Sequence, residues 1–477
     1  MRISKEDIFR VLVRFNPWWN GERPINLPTW KRAVIREIRE WRKEPPTGRA
    51  LMLSGARQVG KTTLFRQSIV EMLEEGFPSS NILYATFDHP LLKLAGFDAI
   101  VESWREYVPR AEGPEYLFID EVQSVEGWGV WIKHQVDFET NRRIAITGSA
   151  MTLAAEGSES GVGRWTSLRL STLSFYEYLQ IRKTQLLPIP EVSSLKDIFS
   201  KTQEELTFLA QSPGAQQLPA YFNEYLLRSG FPQSAQIDNI DEAQRLLRED
   251  IIDKVLKRDM TALFQVRRVL ELEQVFLYLC MHDGSPLNMK ELESGLSVNR
   301  LTAGNFISYL ESTHLIYKLL PFGYGKQVIR GQSKIYLADA AIAGSVFLKG
   351  RSILDDTLAM GHMAETALFK HIFTHYYTKS FRFSYWRGKN DREVDIIAES
   401  GTRLIPFEVK YRKSHTNLAD LKGLMNFCEE NSVKNGYVIT RDLSDIGILR
   451  LSAINTVIAK IPAPLACYWL GWMEIKP

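Results

Sequence analysis

The segment Leu51-Met52-Leu53-Ser54-Gly55-Ala56-Arg57-Gln58-Val59-Gly60-Lys61-Thr62-Thr63 constrains this chain more than any other. An apolar run that reads as a buried strand leads into Gly-x4-Gly-Lys-Thr, and Thr63 opens an amphipathic helix. A loop that curls backbone N–H groups round an anion needs glycines, because Cβ atoms would stand in the way. The N-terminus of the following helix adds partial positive charge. Lys61 is expected to reach the β- and γ-phosphates of a nucleotide, and the Thr62 hydroxyl to ligand Mg²⁺. This is a Walker A loop, and residues 55–63 are its expected nucleotide contacts. A glycine-rich turn with no ligand would not call for the Lys-Thr pair.

A second motif supports the first. Tyr116-Leu117-Phe118-Ile119 ends in Asp120 and Glu121, a Walker B strand buried on both faces as parallel-sheet strands are. Asp120 is expected to hold Mg²⁺ through its water shell and Glu121 to polarise the attacking water. Residues 81–88 and 143–149 read as further strands, and residues 90–107 and 127–137 as helices. Thr147 or Ser149 would serve as the polar γ-phosphate sensor, with strand capping as the alternative. Strand–helix alternation predicts a doubly wound α/β domain with ATP at the carboxyl ends of the strands.

At 477 residues, two or three domains are expected. A formal net charge of +3 does not by itself call for a nucleic-acid partner. Cys280, Cys428 and Cys467 are scattered without metal-ligand spacing, which argues for a reducing compartment and against disulfides or structural zinc. The charged first residues and the absence of a spanning apolar run predict a soluble, cytoplasmic protein without a membrane partner. Residues 30–43 form a basic amphipathic helix expected to pack on the ATPase body, with its arginines solvated or reaching DNA.

Residues 55–62, 116–121 and 146–150 resemble the AAA-plus ATPases of archaea and bacteria. So do Gly163-Arg164 followed by residues 173–179, and Tyr225-Leu226-Leu227-Arg228-Ser229-Gly230-Phe231-Pro232. Within that group the chain is similar, over nearly its whole length, to the branch carrying a C-terminal PD-(D/E)xK nuclease-like domain. The resemblance implies Arg164 as an arginine finger acting on a neighbouring subunit's ATP, and so a homo-oligomer. A structural arginine at a strand edge is the alternative. The expected division is an N-terminal extension over 1–48, the AAA-plus core over 49–172, a helical lid over 173–262, a winged helix over 263–345 and the α/β nuclease-like domain over 346–477. Within the lid the periodicity is helical over residues 175–181, 204–210, 220–227 and 243–256, and residues 184–219, with several prolines, read as an irregular insertion. In the winged helix, Asn299, Arg300, Thr302 and Asn305 lie near the start of the third helix, where DNA contacts would come, although one arginine suits backbone contact better than base reading.

In the last segment, strand alternation places Glu408 and Lys410 on one face. Asp395 can reach that face from the neighbouring strand and Glu365 from the preceding helix. Asp395, Glu408 and the Val409 carbonyl would hold Mg²⁺ or Mn²⁺, and Lys410 would orient the attacking water or stabilise charge on the scissile phosphate. The alternative is a degenerate copy kept for DNA binding or docking. Arg387, Lys389, Arg392, Arg412 and Lys413, with Tyr385, Trp386 and Tyr411, suit a phosphate backbone. The chain thus reads as an ATP-hydrolysing DNA-processing protein whose nuclease-like domain acts on or binds DNA, branched or broken DNA included. Two other readings stay open: an ATP-gated signalling or defence switch with an inactive nuclease-like scaffold, and a DNA-binding ATPase that recruits a separate nuclease or DNA-repair protein.

Overall fold

The computed structural model describes residues 3–23, 27–46, 48–148, 164–325, 328, 331–377, 379–413 and 416–475. The chain divides into two units, residues 1–170 with 312–314, and residues 171–311 with 315–477.

The first unit is built on five parallel strands: β1 (Ala50–Gly55), β2 (Ile82–Thr86), β3 (Glu115–Asp120), β4 (Arg142–Gly148) and β5 (Trp165–Leu170), in the order β2-β3-β4-β1-β5. Every residue of β1 and β2 is buried, as is all of β3 after Glu115. That matches their near-continuous apolar sequences and the helices expected on both faces of a parallel sheet. Helices Lys61–Glu74, Pro90–Tyr107 and Trp128–Phe138 supply the crossovers. Trp104, Trp128, Phe65 and Phe118 are fully buried among them.

Two N-terminal helices complete this unit. Lys5–Phe15, which the sequence reading omitted, is capped by Ser4, whose hydroxyl accepts from the Asp7 amide, and it buries Ile8 and Leu12. The basic helix begins at Ile35 rather than at residue 30 and ends at Lys43. Its basic side chains meet protein. Arg39 donates to both Glu71 carboxylate oxygens at 2.8 and 2.5 Å, Arg42 donates to Glu71 at 3.3 Å, and Lys31 approaches the same carboxylate at 2.6 Å. Glu71 lies on the helix that follows the Walker A loop, so this ion cluster clamps the N-terminal helix to it.

The second unit opens with helices Phe175–Ile181, Gln203–Gln211, Pro213–Arg228, Pro232–Ala235 and Ile240–Leu246. The helices expected over 204–210 and 220–227 are thus present, and the second begins earlier than expected, at Pro213, inside the segment read as irregular. Thr202 and Glu205 form a reciprocal capping box that starts Gln203–Gln211, and Pro213 stands at a helix start, where its missing N–H costs nothing. Then come Val269–Met281, β6 (Ser285–Pro286), Met289–Leu296, Arg300–Ser312, β7 (Ile316–Pro321) and β8 (Lys334–Leu337). The last part runs through helix Thr357–Tyr377, β9 (Arg382–Arg387), β10 (Glu393–Ser400), β11 (Arg403–Lys410), helix Lys422–Glu430, β12 (Asn435–Thr440), β13 (Gly447–Leu451), β14 (Thr456–Pro462) and helix Ala463–Ile475. The sheet order is β13-β14-β12-β11-β10-β9-β7-β8-β6, with β7 joined to β9 through Leu320↔Ser384 and Pro321↔Tyr385. The final helix is apolar because it is core: Leu465, Ala466, Trp469 and Leu470 are fully buried, and the Trp469 indole donates to Pro190 O at 3.1 Å. No helix among the described residues is long and apolar enough to cross a membrane.

Burial pushes the Glu71 carboxyl up, but its hydrogen bonds to Arg39 and Lys31 outweigh that and hold it below the usual glutamate range. Glu71→Ala would leave Lys31 and Arg39 without their shared carboxylate and Arg42, whose side chain is 4% exposed, with Glu75 as its remaining counter-charge. Urea unfolding of Glu71→Ala is expected to show a loss of roughly 2 kcal/mol at pH 7. Because a depressed carboxyl pKa contributes stability above the unfolded value, the difference between the two proteins shrinks as pH falls below about 4.

Candidate functional site

The Walker A segment follows a fully buried strand of the first unit. β1 lies between β4 and β5, and a Cβ on Gly55 would stand 2.3 Å from Leu170 O, so only glycine lets the strands approach there. Gly60 has φ +102°, which the turn into the helix requires. Lys61 heads helix Lys61–Glu74, and its ammonium donates to Gly55 O and Ala56 O, each at 2.9 Å. Arg32 braces the loop by donating to Val59 O at 3.1 Å.

The carboxyl ends of β2, β3 and β4 meet the start of that helix at one carboxylate. Asp120, 2% exposed, accepts at Oδ2 from the Thr62 hydroxyl at 2.6 Å and the Tyr84 hydroxyl at 2.9 Å, and at Oδ1 from the Thr147 hydroxyl. Thr147 in turn accepts from the Glu121 amide at 3.1 Å. Glu121 holds a left-handed backbone, φ 59°, uncommon for a residue with a Cβ, and turns the chain sharply out of β3. Its carboxylate accepts from the Gln123 amide group at 2.5 Å. Burial pushes the Glu121 carboxyl up, Lys61 opposing, as suits a general base.

The Thr62 and Asp120 oxygens fit Mg²⁺. They are two adjacent hard donors beside a phosphate loop, and Mg²⁺ at such sites is bound through one or two protein groups together with water and phosphate oxygens. When bound, the ion supplies charge that stabilises the leaving phosphate. Thr147 is thus seated at the Walker B carboxylate, whereas Ser149 lies outside the described residues. Arg164 ion-pairs with Asp137 at 2.9 Å, its side chain 40% exposed.

The second group of expected residues comes together in the other unit. Glu365 projects from helix Thr357–Tyr377, Asp395 from β10, and Glu408 and Lys410 from β11. Lys410 donates to Glu408 at 2.5 Å, and Asp395 Oδ2 accepts from the Val409 amide at 2.8 Å. An additional cation stands among them. Lys334, at the head of β8 and 1% exposed, places its ammonium 2.9 Å from Glu365, 3.0 Å from Glu393 and 3.0 Å from Asp395. The Tyr336 hydroxyl donates to the same Glu365 oxygen at 2.7 Å. Burial pulls Lys334 down, but Asp395 and Glu365 outweigh it and hold the ammonium well above the ordinary lysine value. Burial and the Asp395 charge push Glu365 up to about 7 and Glu408 up to about 8. Asp395 is held low, because Lys334 and Lys410 outweigh its burial.

The structure thus brings the expected acids and Lys410 together and sets a second lysine against Asp395. Both Asp395 oxygens are engaged by protein donors, Val409 offers it an amide, and no group of three or more His, Cys, Asp or Glu among the described residues is arranged to hold a metal ion. Two of the aromatics expected to stack on nucleic acid are also core: Tyr385 is 3% and Tyr411 8% exposed. Sequence reasoning missed Tyr84, Lys334, Tyr336 and Glu393. The one signal for Lys334 was a lysine heading the otherwise apolar run Ile335-Tyr336-Leu337.

Residues 47–179 match the family described as an AAA domain, while residues 219–352 and 360–459 match two families described as domains of unknown function. An uncharacterized protein of Haemophilus influenzae is 24% identical over 373 residues, covering 76% of this chain and 82% of its own length. One from Methanocaldococcus jannaschii is 24% identical over 372 residues, covering 77% and 75%, and one from Mycobacterium tuberculosis is 24% identical over 366 residues, covering 76% and 70%. Among solved structures, the Aeropyrum pernix ORC1 protein in complex with DNA aligns at 15% identity and TM-score 0.30, over 72% of this chain and 97% of that one. AMPPCP-bound DnaA from Aquifex aeolicus aligns at 14% and 0.24, over 58% and 86%. TM-scores this low carry no argument of their own. The family match and the site geometry agree that the N-terminal part of this chain is an AAA-type P-loop ATPase domain.

Proposed function

We propose that this chain couples ATP hydrolysis in its P-loop domain to DNA engaged by its C-terminal half. The observation that carries the ATPase part is the meeting of Thr62, Tyr84 and Thr147 on the buried Asp120 carboxylate, with Glu121 beside it. Lys61 offsets charge on the β- and γ-phosphates, Thr62 and Asp120 hold Mg²⁺, and the Glu121 carboxylate takes the proton of the attacking water.

The DNA part rests on element order and exposure. Helix Val269–Met281, β6, two helices, and β7 and β8 pairing antiparallel are the parts of a winged helix, with Asn299, Arg300 and Asn305 exposed at the third helix. Helix, β9, β10, β11, helix and β12, with the first three strands antiparallel and β12 parallel to β11, follow the order of the nuclease-like fold. Arg387, Lys389 and Lys413 are exposed on that part and suit phosphate contact. Arg164 is assigned as the finger that completes a neighbouring subunit's site, its pairing with Asp137 giving way on assembly.

Lys61→Ala is expected to lose triphosphate affinity by tenfold or more in equilibrium titration, since the loop loses its one side-chain cation on the phosphates. Wild-type turnover is expected to rise several-fold with forked or duplex DNA at low salt, and the stimulation to fade as salt is raised. Turnover indifferent to DNA under all salt conditions would reject the DNA half of the proposal and favour an ATP-gated switch. Light scattering under saturating ATP is expected to show an oligomer, and a monomer there would remove Arg164 as a trans-acting finger. Because burial raises the Glu121 pKa and the base must be ionised, kcat is expected to climb with pH from above the ordinary glutamate value of about 4.3 to a plateau.

A further inference from the structure

The second cluster holds four carboxylates, Glu365, Glu393, Asp395 and Glu408, and two ammonium groups, Lys334 and Lys410. A lysine ammonium has three N–H donors. Lys334 has three carboxylate oxygens within 3.0 Å, so its hydrogen-bonding capacity is fully used. Its geometry is built rather than incidental. Tyr336, two residues on and therefore on the same strand face, adds a hydroxyl to Glu365. From behind, the buried Asp283 accepts from the Leu337 amide at 2.9 Å and from the Thr366 hydroxyl at 2.7 Å, fastening β8 to the helix that carries Glu365. Glu408 Oε2 is buried without a hydrogen-bond partner among the described residues, while its other oxygen accepts from Lys410.

We propose that the Lys334 ammonium is the resident cation of this cluster, and that it excludes Mg²⁺ and Mn²⁺ for as long as β8 stays paired with β6 and β7. A divalent ion bridging Glu365 and Asp395 would have to stand where the ammonium now stands, close to both. Displacing a lysine that is 1% exposed would strand its charge in the interior, where an unpaired ammonium is strongly disfavoured. The cluster therefore fastens the β8 strand to the β10–β11 part of the sheet instead of presenting a metal to a phosphodiester. This concerns the C-terminal part of the proposed function alone, and its failure would leave ATP turnover at the P-loop unaffected. The same carboxylates without Lys334 would form an open divalent-cation site, since one remaining lysine faces four acids.

The test is Mn²⁺ binding by the nucleotide-free full chain, followed through the paramagnetic resonance signal of free Mn²⁺. Comparison with Asp395→Asn separates this cluster from the P-loop. Wild type and Asp395→Asn are expected to bind Mn²⁺ identically. Lys334→Met, which keeps the apolar stem and removes the charge, is expected to gain one Mn²⁺ site, and Lys334→Met/Asp395→Asn to lose it again. At a hundredfold excess of Mn²⁺ over its Kd, the thermal midpoint of Lys334→Met is expected to rise by roughly 5 °C, with no such rise in wild type. Asp395-dependent Mn²⁺ binding by wild type would overturn the proposal, as would a folded Lys334→Met that gains no site. Should Lys334→Met not fold, the wild-type comparison decides alone: identical binding supports exclusion and Asp395-dependent binding refutes it.

Discussion

A negative charge held inside a parallel sheet organises the first unit. Asp120 lies at the end of β3, shielded from water on every side, and an unpaired carboxylate there would be prohibitively costly. Three hydroxyls reach it, from Tyr84 on β2, Thr62 at the start of the P-loop helix and Thr147 on β4. Each comes from a different element, so satisfying one charge aligns the ends of the strands with the phosphate loop. Glu121 follows directly, its amide held by Thr147 and its backbone turned into the left-handed region.

The acid clusters around Asp120 and around Glu365 and Asp395 are satisfied by different chemistry, and that difference separates what they can do. Around Asp120 the protein donors are neutral hydroxyls, which stabilise the carboxylate without cancelling its charge. A cation arriving with nucleotide still finds a full negative charge to bind. Around Glu365 and Asp395 a buried ammonium joins the Tyr336 hydroxyl and the Val409 amide, and it cancels charge as well as satisfying lone pairs. The first site stays attractive to Mg²⁺, whereas the second has its cation covalently attached on β8. Asp120 ends a strand, whereas Glu365 comes from a helix and Asp395 and Glu408 from neighbouring strands, and the charge of the partner tells the two clusters apart.

The legible parts of the chain were those in which local sequence and local structure coincide. Gly55 and Gly60 stand where a strand contact and a positive φ exclude other residues, and Asp120 and Glu121 end a strand whose apolar run announces it. The four acidic and basic residues Glu365, Asp395, Glu408 and Lys410 also come together as strand alternation implies. What stayed hidden depends on pairing between distant segments. Lys334 precedes Asp395 by sixty-one residues and reaches it because β7 joins β8 to β9 in one sheet, which no local pattern encodes. Tyr84 looked like an ordinary strand aromatic, its hydroxyl unremarkable until Asp120 was seen beside it. The helix read over 220–227 was begun too late because prolines suggest breaks, whereas Pro213 opens helix Pro213–Arg228 and Pro219 lies inside it.

The central claim is that the P-loop site hydrolyses ATP with Glu121 as base, and single-turnover hydrolysis by Glu121→Gln tests it most directly. With enzyme in excess over labelled ATP, the variant is expected to retain wild-type affinity and to cleave the bound nucleotide more slowly by roughly 10²–10⁴-fold, the range of general-base contributions. Cleavage of bound ATP at the wild-type rate would contradict the account, because the residue that β3 and Thr147 position beside Asp120 would then have no part in activating water.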